Sequence, residues 1–131
     1  MPSTALRAAL LAALAGGFLL AADQPTREQQ ALARDLDGRA AGKTETCVAT
    51  NTGTALQIID SQTLSYRDGR TLWVNKLRAP CPGLRPLDTL VVETQGSSYC
   101  RGDRFRTIAQ GSSIPTAFCF LGDFTPWRKP N

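Results

Sequence analysis

The sequence predicts a small, mainly β domain: an antiparallel barrel or sandwich of about six to seven short strands, with one N-terminal helix and two disulfides. Three observations lead there. Short apolar runs such as Leu56–Asp60, Thr89–Glu93 and Arg104–Ile108 are separated by Gly, Pro, Asp and Ser turns. The last third, Tyr99–Trp127, gathers two of the 4 cysteines and most of the 5 phenylalanines, the concentration of apolar area and cross-links a small core requires. The 4 cysteines, Cys47, Cys81, Cys100 and Cys119, form no Cys-x-x-Cys pair, so two disulfides are expected in preference to a zinc site.

Residues 1–22 precede the domain. Arg7 supplies a positive charge, Ala8–Leu20 is apolar, and Ala21-Ala22 supplies small residues before Asp23. That is the layout of a signal peptide, and the run is short for a transmembrane helix. The mature chain is then one domain that is periplasmic or secreted, with no membrane span after cleavage. Residues 23–44 form a helical lead and 45–131 the disulfide-stapled β domain. The formal charge of +4 is spread along the chain, which favours solubility and weak attraction to anionic surfaces.

Thr26-Arg27-Glu28-Gln29 reads as a capping box opening a helix from Arg27 to Arg39, with Ala31, Leu32, Leu36 and Ala40 as a thin apolar stripe. The period then changes to that of strands. Thr46–Ala49, Leu56–Asp60 and Thr63–Arg67 are the first three. Asp68-Gly69 is read as the centre of a type I′ turn into Arg70–Lys76. In that fourth strand Leu72 and Val74 share one face, expected inward, and Thr71, Trp73 and Asn75 the other. Pro80, Pro82 and Pro86 forbid regular structure and make a long surface loop pinned by Cys81. Thr89–Glu93 and Arg104–Ile108 follow as strands, then Thr116–Phe120, in which Phe118 and Phe120 are expected to face the core. Leu121 and Phe124 close that core, and Trp127 plugs its end. Of the three pairings four cysteines allow, Cys81–Cys100 with Cys47–Cys119 is preferred, because it joins the first strand to the last.

The series Cys47, Cys81-Pro82-Gly83-Leu84, Cys100-Arg101-Gly102-Asp103 and Cys119-Phe120-Leu121-Gly122-Asp123-Phe124-Thr125-Pro126 resembles a family of small exported four-cysteine proteins of Gram-negative bacteria, classed as a domain of unknown function. The resemblance covers residues 35–127. It implies an exported single domain with these cysteines as its framework, and no reaction, ligand or catalytic residue.

The chain has 0 histidines, which removes the usual base near neutral pH and the usual activator of a serine or cysteine nucleophile. No catalytic residue, metal site or cofactor is assigned. Asp60, Asp68, Asp88, Asp103 and Asp123 are the carboxylates that could act as acid and base, but each has a simpler role at a turn or strand start. The Arg101-Gly102-Asp103 tripeptide is read as turn chemistry, with Asp103 as its cap. The candidate ligand-binding residues are Trp73, Asn75, Arg104 and Arg106. If their two strands lie close together, an indole, an amide and two guanidiniums would form a patch suited to anionic polymers or sugars. The expected function is non-enzymatic binding of an envelope component or an exported protein by a monomer, with no specific nucleic acid. A carboxylate-dependent hydrolase or lyase is the alternative, and so is a secreted enzyme inhibitor using the Pro80–Pro86 loop.

Overall fold

The computed structural model describes residues 23–50 and 54–131, so the leader assigned to 1–22 lies outside them, as does the turn that the sequence predicts at Asn51-Thr52-Gly53. Among the described residues there is one helix, α1 (Arg27–Leu36), and ten strands in chain order: β1 (Ala40–Ala41), β2 (Cys47–Ala49), β3 (Gln57–Asp60), β4 (Thr63–Asp68), β5 (Thr71–Lys76), β6 (Thr89–Glu93), β7 (Ser98–Cys100), β8 (Arg104–Ile108), β9 (Cys119–Phe120) and β10 (Asp123–Arg128). They form three antiparallel sheets, ordered β1-β10-β5-β4-β3, β2-β7 and β6-β8-β9. The mainly β class holds, without closure into a barrel.

α1 begins as its sequence dictates. The Gln29 amide donates to Thr26 Oγ1 at 3.2 Å, and Thr26 N donates to Gln29 Oε1 at 2.9 Å. It stops at Leu36, short of the expected Arg39, because Asp37 leaves helical geometry and Gly38 takes a φ of 69°. No residue of α1 is buried. Polar contacts hold it to the sheet instead: Gln29 Nε2 donates to Asp60 Oδ2 at 3.0 Å, and Arg67 pairs with Asp35 at 3.0 Å. β1 belongs to the expected lead, yet it pairs with β10.

The β4–β5 turn is shifted by one residue from the expected position. Asp68 pairs with Thr71, which leaves Gly69-Arg70 as the two-residue loop. Only Gly69 has positive φ there (55°), the requirement of a type II′ turn and not of type I′.

The sequence reading assigns no strand to β10, and Pro126 is unusual in a strand with neighbours on both sides. The chain resolves this by bulging. Gly42 N donates to the Pro126 carbonyl at 2.7 Å, and Glu45 and Phe124 exchange two backbone bonds. Ala41 faces Trp127 while Glu45 bridges Phe124, so the 41–45 side carries one extra residue opposite the proline. The missing N–H points into that bulge and leaves the β5 ladder intact.

The core lies between the large sheet and the other strands. Leu64, Tyr66, Trp73 and Phe124 meet Phe105, Leu121, Val48 and Leu84. Tyr66 packs edge-on against Tyr99 (ring centres 5.6 Å apart) and donates to the Ala49 carbonyl at 3.2 Å, tying β4 to the β2–β7 pair. The disulfides are Cys47–Cys100 and Cys81–Cys119, which corrects the expected Cys81–Cys100 and Cys47–Cys119. The reason is the short strand β7, to which the sequence reading assigns no strand: it pairs with β2 and sets Cys100 directly opposite Cys47. The Pro80–Pro86 loop is an exposed loop anchored at two points. Its Cys81 and Leu84 are buried, and Cys81 N donates to the Ser61 carbonyl at 2.7 Å.

Candidate functional site

The four candidate binding residues separate into two environments. Trp73 and Asn75 lie on β5 and face the main core, 7% and 0% exposed; the accessible patch expected there is corrected accordingly. The register explains it. Tyr66 pairs with Trp73 and Leu64 with Asn75, so these side chains share the face that Phe124 and Pro126 complete from β10. Leu72 and Val74 are buried too, on the opposite face.

Asn75 is wholly committed. Its Nδ2 donates to the Gly122 carbonyl at 2.7 Å, and its Oδ1 accepts from Gly122 N at 2.9 Å. This satisfies a stretch of buried backbone that no strand pairs with. Gly122 admits no side chain: a Cβ there would lie 1.8 Å from the Lys76 carbonyl oxygen.

Arg104 and Arg106 keep their expected outward orientation, with Phe105 fully buried between them. Their neighbour is Phe118 and not Trp73. The Arg104 and Arg106 guanidinium carbons lie 4.8 and 5.0 Å from the Phe118 ring centre, within cation–π range. Arg104 also binds Glu93 across the β6–β8 pair, its Nε donating at 3.0 Å.

The sequence reading placed Phe118 and Phe120 in the core, and the structure reverses that: they are 41% and 56% exposed. The cause is Cys119. Strand parity puts a residue and its two neighbours on opposite faces, and Cys119 turns inward to bond buried Cys81. Both phenylalanines must then point out, beside Arg104, which pairs with Phe120. The inward pull of a disulfide-bonded cysteine was the available signal.

Two further arginines join this face. Arg78, Arg101, Phe118 and Phe120 line one cleft of about 590 Å³, floored by Pro80 and Leu121. Among the described residues no carboxylate lines it. Arg101 pairs with Asp123 at 3.1 Å at its rim. The result is two exposed aromatic rings among four guanidiniums, a surface suited to a ligand that is both anionic and partly apolar.

The carboxylates are dispersed. Asp103 accepts from Cys100 N at 2.8 Å, as a turn cap, and Asp68 ends β4 at its hairpin. Asp60 accepts from Gln62 N at 2.9 Å. Burial pushes the Asp60 carboxyl up, but hydrogen bonds from Gln29, Gln62 and Thr63 and the nearby Lys76 charge together outweigh it, and its pKa lies below 3.8. A second cleft, of about 410 Å³, is rimmed by Glu28, Asp35 and Asp88, but Asp35 is held by Arg67. Among the described residues no three carboxylate or cysteine side chains stand close enough to hold a metal, and no helix is long and apolar enough to cross a membrane.

Comparison of the chain with family models, with curated proteins and with solved structures finds no match.

Proposed function

We propose that the protein is an exported, non-enzymatic binding domain that takes an anionic component of the cell envelope on the outer face of β6, β8 and β9. One observation carries the reading. The chain buries Tyr66, Phe105 and Phe124 completely, yet leaves Phe118 and Phe120 exposed among Arg78, Arg101, Arg104 and Arg106. Exposed rings ordinarily cost hydrophobic free energy, of about 1.5–3 kcal/mol for a full side chain, and grouped arginines repel one another. A ligand that covers the rings and neutralises the guanidiniums relieves both.

Export is supported by the leader read in residues 1–22 and by two disulfides, which persist in oxidising compartments. The resemblance to exported four-cysteine proteins points the same way. Binding to immobilised dextran sulfate, a soluble sulfated polyanion, tests the face. The wild-type chain is expected to be retained, and released as salt screens the contact over about 8–10 Å. Arg106→Ala is expected to elute at lower salt with an unchanged melting temperature. Retention that ignores both salt and Arg106 would refute the assignment.

A further inference from the structure

We infer that the ligand of this face is the surface of an anionic phospholipid bilayer, with Phe118 and Phe120 entering the interfacial layer and the surrounding arginines meeting lipid phosphates. This rests on the reading that the outer face of β6, β8 and β9 is the binding surface, and it names what that surface meets.

The first argument is the state of the Phe118 ring. A soluble glycan or nucleic acid would use an exposed aromatic by stacking on its face. The Phe118 ring already carries the Arg104 and Arg106 guanidiniums, at 4.8 and 5.0 Å. A ligand stacking on this ring would compete with guanidiniums already placed there, whereas an apolar medium can meet its exposed edge. Phe120 stands two residues on, outward on the same side of Cys119. Two adjacent apolar edges ringed by cations match an interface whose polar level is phosphate and whose next level is hydrocarbon.

Charge supplies the second argument. Among the described residues Arg78, Arg101, Arg104 and Arg106 pair with two carboxylates, Glu93 and Asp123, so the surface keeps a local excess of positive charge. Arg78 and Arg106 have no ion-pair partner among the described residues. Guanidinium forks bind phosphate in a bidentate manner and are weakly hydrated, so they give up water at low cost.

Geometry supplies the third. Val91, paired with Arg106 on β6, is also exposed and shares this face. The apolar groups are thus spread across a sheet, and the disulfide to Cys81 fixes the strand that carries the phenylalanines. A rigid, shallow face suits a planar partner. Alanine, proline and leucine between Arg78 and Phe120 give the adjoining cleft an apolar floor with no carboxylate to repel a phosphate.

Cosedimentation of the processed chain with vesicles tests the inference. The probes are phosphatidylglycerol mixed with phosphatidylcholine, phosphatidylcholine alone, and dextran sulfate in solution. Partition onto the anionic vesicles is expected to exceed that onto the neutral ones by about tenfold. Phe118→Ser with Phe120→Ser is expected to lower it by about tenfold or more, while changing dextran sulfate affinity less than about twofold, since charge alone drives that contact. Arg78→Gln with Arg106→Gln should weaken both. Equal partition onto the two kinds of vesicle, or anionic binding indifferent to both phenylalanines, overturns the inference. If dextran sulfate still binds through the arginines in that case, the face stands as a binding surface for a soluble polyanion. If neither probe binds, the face assignment falls with it. A concentration-dependent dimer abolished by Phe118→Ser and Phe120→Ser would overturn the membrane inference by showing that the face meets a second copy of the chain. Both phenylalanines are exposed, so an unchanged melting temperature of the double variant serves as the folding control.

Discussion

β5 and β8 are both middle strands, β5 between β10 and β4 and β8 between β6 and β9, and each sets a buried aromatic, Trp73 or Phe105, beside polar residues. They differ in what lies over their second face. Trp73 and Asn75 face the main core, while Leu72 and Val74 are buried on the opposite face of the large sheet, which also carries Trp127 and β3, against which α1 packs. On β8 one face holds fully buried Phe105 and Thr107; the other presents Arg104 and Arg106 beside exposed Phe118, with Arg104 also paired to Glu93. A middle position in a sheet is therefore insufficient to locate a binding face. The layer outside the sheet decides it. On β5 a polar residue, Asn75, serves as an internal hydrogen-bonding fixture, whereas on β8 polar residues remain available to a ligand.

The largest effects should come from breaking the β5 side. Asn75→Ala leaves the Gly122 N–H and carbonyl buried without partners. At about 1–3 kcal/mol for each orphaned group, the loss should be roughly 2–6 kcal/mol. Gly122→Ala should be at least as severe, because its Cβ meets backbone that cannot rotate away. Trp73→Ala should cost about 3–5 kcal/mol. Denaturant unfolding of these variants beside Arg106→Ala sharpens the comparison, since the arginine variant should stay within about 0.5 kcal/mol of wild type. Similar losses on both strands would erase the distinction drawn between them.

The two disulfides extend the same contrast. Their sequence separations are 53 and 38 residues, so loop closure gives each a comparable contribution of about 4 kcal/mol. Exposure then decides which is attacked. Cys47 is exposed, whereas Cys81 belongs to the core. Graded reduction followed by alkylation and peptide mapping should open Cys47–Cys100 before Cys81–Cys119. Once the second bond opens, Phe118 and Phe120 should lose their fixed outward setting, and anionic binding should fall with it. The reverse order of reduction would mean that the core side is the more open.

Much of the fold was legible because local chemistry agrees with it. The Thr26–Gln29 box, the turn near Gly69 and the strands 89–93 and 104–108 are set by residues close in sequence. What escaped depends on distant partners. Pro126 is admitted to a strand only because the 41–45 segment bulges opposite it, and β7 is a strand only because β2 lies beside it. The orientation of Phe118 and Phe120 hinged on whether Cys119 or the phenylalanines turned inward. Hydrophobicity favoured the rings, but a covalent bond to buried Cys81 is the stronger constraint. Arg104 and Arg106 were found because their strand contains one inward aromatic flanked by two charges. Arg78 and Arg101 come to the same surface through loops whose course no local pattern fixes.

The smallest effect concerns the polar attachment of α1, which lacks the apolar burial of β5 and the ligand-facing charge of β8. Asp60 accepts from Gln29 on α1 and from the Gln62 amide, and its pKa is lowered from the ordinary 3.8. Burial acts to raise it, and the hydrogen bonds with the Lys76 charge more than offset that. A carboxyl whose folded pKa lies below its unfolded value contributes stability that is present above the unfolded value and is lost as pH falls through the folded one. The wild type should therefore lose this contribution only below about pH 4. Asp60→Asn keeps an oxygen for the Gln62 amide but never ionises, so the stability gap between wild type and variant should be widest near neutral pH and should narrow through that acidic window. Urea unfolding of both proteins at several pH values measures the gap directly. A gap that stays constant, or widens as pH falls, would show that the charge on Asp60 plays no part in holding α1 to β3.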